Sequence, residues 1–214
     1  MVSSWQRLAT YTLESTSNTL STASDPSLTG GVFTAKKHLK FAYVLIRDSN
    51  DINDNIHFND VTGETNYSMR RNFNGGDETA FTGDNPSDGN GFYYGTVDSS
   101  PLIYATGTII NIDGKEKMGI LQGIASGATG AGNSPSLRRE NVFKWANTSV
   151  QITKITLTNT LTGSYGIGST LTVWGADDQP STPFYPNLPN GTIFEQSDDG
   201  KHYMFDGTSA WNEM

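Results

Sequence analysis

The sequence predicts an all-β protein: a two-sheet antiparallel sandwich, jelly-roll-like, followed by a small C-terminal β-hairpin. Three observations carry this. No window sustains the i, i+3, i+4, i+7 apolar pattern of an amphipathic helix. Short runs rich in Thr, Ile, Val, Tyr and Leu recur between clusters of Gly, Asn, Asp, Ser and Pro, as strands of sandwiches and barrels do. Two Asp-Gly pairs, Asp113-Gly114 and Asp199-Gly200, sit between apolar-rich runs, where glycine accepts the positive φ of a tight hairpin turn.

The first strand is expected over Gln6 to Glu14, where Ala9, Tyr11 and Leu13 alternate with threonines. A short one follows near Asn18 to Thr22, and residues 25–31 read as a loop. Val32 to Ala35 and Leu39 to Arg47 come next. The second of these is nearly continuously apolar, which suits a central strand or one covered on both faces. Ile56 to Asn59 and Asn66 to Asn72 read as a meander through Thr62-Gly63, with His57 facing outward between Ile56 and Phe58. Residues 83–101 read as a long polar surface excursion. Leu102 to Ile112 and Lys117 to Ile124 form a hairpin through Asp113-Gly114. Gly127 to Ser136 is flexible by composition. Leu137 to Trp145, Gln151 to Asn159 and Thr170 to Gly175 complete a body of roughly nine to eleven strands. Residues 1–175 are thus the sandwich, 176–188 a Pro-rich linker, and 189–214 the hairpin module, with strands expected at Thr192 to Glu195 and Lys201 to Phe205.

Composition narrows the chemistry. The chain has 214 residues and no cysteine, so disulfides, a thiol nucleophile and Cys-ligated zinc are excluded. Net charge is −8, and the short basic runs (Lys36-Lys37, Lys115 with Lys117, Arg138-Arg139) read as scattered loop charges. No basic stripe for nucleic acid results. No stretch approaches the ~20 apolar residues of a membrane helix, and the first residues lack an apolar signal core. A soluble protein made in a cytoplasm is the expectation.

The three histidines form no H-x-x-x-H or H-E-x-x-H pair, and Gly-x-Ser-x-Gly is absent, so the sequence offers no catalytic motif. Residues 48–54 (DSNDIND) form the densest set of oxygen ligands, and Asp48, Asp51 and Asp54 are the candidates for Ca²⁺. The stretch lacks the glycine and terminal glutamate of an EF-hand, and Asp and Asn are also turn formers. Phe92, Tyr93 and Tyr94 lie within a polar loop, where aromatics stack on sugars or anchor protein contacts. Trp174 faces away from Leu171 and Val173 on its strand, which suits a subunit interface. Trp211 is a similar candidate in the tail, while Trp145 reads as core.

Several segments resemble a family of tailed-phage virion structural β-sandwich proteins, found mostly in marine-type phages. They are WQRLATYTLEST at 5–16, FTAKKHLK at 33–40, KEKMG at 115–119, NVFKWANTSVQITKI at 141–155 and GSTLTVWG at 168–175. The tail PNGTIFEQSDDGKHYMFDGTSAW at 189–211 resembles a C-terminal module of tailed-phage structural proteins. The resemblance implies a non-enzymatic protein on the virion surface, assembled in the host cytoplasm as a head decoration or fibre protein. A tail-fibre or tail-tip receptor-binding protein with carbohydrate-binding capacity is the alternative, and a β-sandwich glycan hydrolase the third reading. The expected partners are further copies of the chain, as a homotrimer, together with other virion proteins and a host glycan. Nucleic acid and membrane insertion are not expected.

Overall fold

Alternation of apolar and polar side chains, with turn residues at the boundaries, folds the chain into strands. The computed structural model describes residues 4–61, 66–82, 92–93, 102–126, 137–178, 189–196, 200–207 and 210–214. It divides into two compact units, Met1–Asp178 and Gln179–Met214. The strands of the first unit are β1 (Gln6–Thr12), β2 (Thr19–Ser21), β3 (His38–Ile46), β4 (Asn55–Phe58), β5 (Tyr67–Phe73), β6 (Thr79–Thr82), β7 (Phe92–Tyr93), β8 (Leu102–Ile110), β9 (Lys117–Ala125), β10 (Leu137–Trp145), β11 (Ile155–Thr158) and β12 (Thr170–Ala176). Among the described residues, no helix is long and apolar enough to cross a membrane.

The strands form two antiparallel sheets. The larger runs β1-β12-β3-β8-β9-β10-β5-β6 and the smaller β2-β11-β4-β7. The first four strands of the large sheet and the whole small sheet have the strand order of a jelly roll. The chain passes from one sheet to the other after β1, β2, β3, β4, β6, β7, β10 and β11. Two hairpins are added to that plan. β5-β6 is inserted between β4 and β7, and β9-β10 between β8 and β11. β10 pairs with β5 from Trp145↔Tyr67 to Arg139↔Phe73, so the insertions join and widen one sheet.

The core lies between the sheets. Phe41, Leu45, Ile103 and Leu171 of the large sheet meet Leu20, Ile56, Phe58 and Leu157 of the small one, all within 1 % of fully buried. Each such side chain stabilises the fold by about 1.5–3 kcal/mol relative to exposure. Phe58 reaches the widened part of the sheet: its ring lies 5.7 Å from Trp145 and 6.1 Å from Phe143.

The segment between β10 and β11 is held by amide side chains. Asn147 Oδ1 accepts from the N–H groups of Ser149 and Val150. The buried Asn111 accepts from Ile152 N at 2.7 Å and donates to Ile152 O and Lys36 O. Asn59 accepts from Thr153 N and Lys154 N and donates to Gln151 O. Residues 147–154 cannot pair in a ladder as they cross from sheet to sheet, so these amides satisfy backbone groups that would otherwise be buried unpaired.

Four expectations are corrected. β4 and β5 are not a meander: they belong to different sheets, because β4 pairs with β11 and β5 with β10. Tyr67 ties this crossing, its hydroxyl donating to Val61 O and accepting from Phe58 N. Burial pushes that hydroxyl up to about 12, so it stays a donor. Second, Val32 to Ala35 forms no ladder strand; Phe33 is buried and donates its N–H to Thr153 O. Third, Lys117 and Arg139 are buried rather than solvated. Lys117 Nζ donates to the carbonyls of Lys115 and Asn147 and sits 5.9 Å above the Trp145 ring. Fourth, His57 is buried, because all four residues of β4 are covered and the Tyr67 ring meets the imidazole edge-on at 6.5 Å.

Burial holds the His57 imidazole below its ordinary value of 6.5, with Asp60 opposing. The folded state therefore favours neutral His57. Its contribution is complete above the unfolded value and is lost as pH falls through 6.5 towards the lowered folded value. Asp25, Asp177 and Asp178 are held below 3.8 and stay ionised across this window. We expect the urea midpoint to be lower at about pH 5.5 than at about pH 7.5, and His57→Gln to narrow that difference. An equal difference in the variant contradicts this assignment.

The second unit is a three-stranded sheet, β13 (Ile193–Gln196), β14 (Lys201–Phe205) and β15 (Trp211–Glu213), in that order. The expected hairpin thus gains a third strand. Phe205 is buried, and Trp211 lies 5.2 Å from Phe205 and 5.9 Å from Phe194. The boundary of the body also moves. Ala176 belongs to β12, and Asp177 accepts from Lys36 Nζ and Lys37 N while Asp178 pairs with Lys37 and His38. Those two carboxylates fasten residues 177–178 to the start of β3, and the first unit ends at Asp178.

Candidate interaction surface

On an antiparallel sheet with one covered face, the other normally carries polar side chains. The outer face of the large sheet does not follow that rule where the insertions widen it. β8 alternates strictly, with Ile103, Ala105 and Ile109 inward and Leu102, Tyr104 and Ile110 outward. β9 has Leu121 and Ala125 inward and Met118, Ile120 and Ile124 outward. Val142 of β10 joins them. Met118 is 58 % exposed, Ile120 50 % and Val142 47 %.

The registers place these side chains side by side. Thr108, Ile120, Val142 and Arg70 are consecutive cross-strand neighbours, and so are Ile110, Met118, Lys144 and Ser68. The two rows line a groove of about 670 Å³ that extends to Trp5 and His38 at one end and Ala80 at the other. Two glycines shape the sheet beneath it. Gly107 pairs with Phe41 and Gly119 with Phe143, and a Cβ at either position would stand about 2.3–2.4 Å from the partner ring. The inward aromatics thus lie flat against glycine backbone, which only a residue without Cβ permits.

Charge collects at the rim. Lys40 Nζ lies 4.5 Å above the Trp5 ring, Lys144 pairs with Glu116 at 3.2 Å, and Arg70 pairs with Glu78. These pairs are solvent-exposed, so each contributes only about 0–1 kcal/mol to stability.

The residues expected to carry contacts fare differently. Trp174 lies on this outer face, half-buried between Arg7 and Lys40 in the ladder. Trp211 is engaged within its own small sheet. Phe92 and Tyr93 form β7, whose backbone pairs with Ile56 and Asn55 at the edge of the small sheet. Their side chains, and Tyr94, lie outside the described residues, as do most of the 83–101 segment, Gly127 to Ser136 and residues 179–188.

The 48–54 segment does not gather its carboxylates. Asp54 is fully buried and accepts from the Tyr43 hydroxyl, and its charge adds to burial in raising Tyr165. Asp51 faces Arg47 at 4.0 Å, and Asp48 is exposed. Neighbouring Asn53 donates its backbone N–H to Asn159 Oδ1 and exchanges hydrogen bonds with Thr160. This is a loop locked by amides and a buried carboxylate. Among the described residues, no group of three His, Asp or Glu side chains converges as a metal site would require.

The apolar outer face is the feature that sequence reasoning missed. Its signal was present: Leu102 to Ile110 and Met118 to Ala125 carry apolar residues at both parities. Comparison with protein-family models, curated proteins and solved structures gives no match.

Proposed function

We propose that the chain is a non-enzymatic structural protein on the surface of a tailed-phage virion, acting through subunit contacts as a head decoration or fibre protein. One observation carries the assembly role: a jelly-roll sheet widened by two inserted hairpins, whose outer face exposes Ile110, Met118, Ile120 and Val142 side by side. Contiguous apolar surface of this kind marks contact sites, because leaving it in water is unfavourable. The virion setting draws on the sequence resemblance of residues 5–175 and of the tail. Self-association into a homotrimer is the expected form.

Mass spectrometry of gradient-purified particles of the source phage tests this reading. The chain is expected in many copies per particle. Particles lacking it, with the protein confined to the soluble lysate, contradict the reading.

A further inference from the structure

We propose that the outer-face groove receives the C-terminal module of a second copy of this chain. The inference rests on reading that face as an assembly surface, and names its occupant. Module and groove are complementary in two independent respects.

The first is charge. The chain is acidic overall, yet Lys40, Arg70 and Lys144 stand around the groove. Residues 189–214 hold five carboxylates, Glu195, Asp198, Asp199, Asp206 and Glu213, against one lysine, Lys201. An acidic module is drawn to the cations at this rim. Glu116 and Glu78 offset part of the rim charge, so the attraction is one of steering and register rather than the main binding force.

The second is apolar surface. The module exposes Ile193 (60 %), Phe194 (52 %) and Met204 (42 %). Ile193 and Met204 are cross-strand partners and share one face. A sheet this small gains little from its own core, so covering that face stabilises it. The groove offers aliphatic side chains of matching character. The ten residues 179–188 set an upper limit of about 35 Å on the module's reach from Asp178. Because module and groove are different surfaces, the contact is heterologous: it links copies head to tail, and three copies close a ring if the rotation permits.

The absence of native cysteine makes the test direct. Two full-length variants, Met118→Cys and Met204→Cys, both at exposed positions, are mixed and mildly oxidised. The expected product is a mixed 118–204 disulfide, at least tenfold above the dimer each variant forms alone. It should weaken several-fold when Arg70→Glu is added to the Met118→Cys chain, and fall with added salt. A dominant 118–118 product overturns module docking while leaving the face an assembly surface. A chain carrying both Met118→Cys and Met204→Cys that forms only an intrachain link, or a mixture of the single variants that forms no link at any concentration where the wild type associates, also overturns it. Carbodiimide cross-linking of an equal mixture of ¹⁴N and ¹⁵N wild-type protein gives the same answer without substitutions. Mixed-isotope links from Lys40 or Lys144 to Glu195 or Asp206 are expected. Links confined to single-isotope pairs count against the proposal. The particle measurement is read separately, so loss of this inference and loss of the virion reading are distinguishable.

Discussion

Asn111→Ala is expected to lower the stability of the body by at least about 3 kcal/mol, with its melting temperature falling by roughly 6–12 °C. Asn111 is fully buried, and its side chain serves three backbone groups. It accepts from Ile152 N–H at 2.7 Å and donates to Ile152 O at 3.1 Å and Lys36 O at 3.0 Å. Alanine leaves these groups buried without that partner, and each such loss costs about 1–3 kcal/mol. The effect reaches beyond the site, since the grip on Ile152 holds the crossing from the large sheet to the small one. Asn111→Asp is a sharper version: it keeps the acceptor for Ile152 N–H but places a carboxylate against two carbonyls. Thermal unfolding followed by circular dichroism measures both. A loss below about 1 kcal/mol in the alanine variant contradicts the stapling role.

Gly119→Ala is expected to cost about 3 kcal/mol, at the upper end for overpacking. Its Cβ would stand 2.4 Å from the Phe143 ring and 2.5 Å from Thr108 O. A ring can move; a backbone carbonyl within a nine-residue ladder cannot move without disturbing β8. Adding Phe143→Leu should recover part of the loss, because it removes the ring contact and leaves the carbonyl contact. Chemical denaturation of the single and double variants gives the coupling between the two positions. Strict additivity contradicts the packing of Phe143 on Gly119.

The strand pattern was legible because the relevant forces are local. Leu137 to Trp145 was placed to the residue, and Leu39 to Arg47 and Thr170 to Gly175 to within one, since their periodicity and flanking turns are strong. Jelly-roll connectivity was the favoured arrangement but could not be read from strand count; the strand order comes from the sheet pairings of the first unit. Pairing partners were not legible. The Ile56 to Asn72 stretch looked like a meander, and only the long-range ladders with β10 and β11 send its halves to different sheets. His57 was misplaced for a related reason: alternation reports two faces of a strand but not whether the second is covered. Trp211 looked spare because the third strand that brings it against Phe205 is only three residues long. Buried Lys117 shows the converse, a charged residue inside because two carbonyls and an indole ring receive its ammonium. The candidate surface was hidden in plain composition, as outward-facing aliphatic residues on β8 and β9.

We propose that copies of the chain meet at the outer face of the widened sheet. Sedimentation equilibrium of the full-length protein, wild type against Ile120→Asp, tests it most directly. Ile120 is half exposed and lies at the centre of the apolar rows, so the substitution should shift the melting temperature by less than about 4 °C. The wild type is expected to associate, as a trimer at sufficient concentration, and the variant to stay monomeric while remaining folded. A variant that associates as strongly as the wild type, or a wild type monomeric at every concentration, contradicts it.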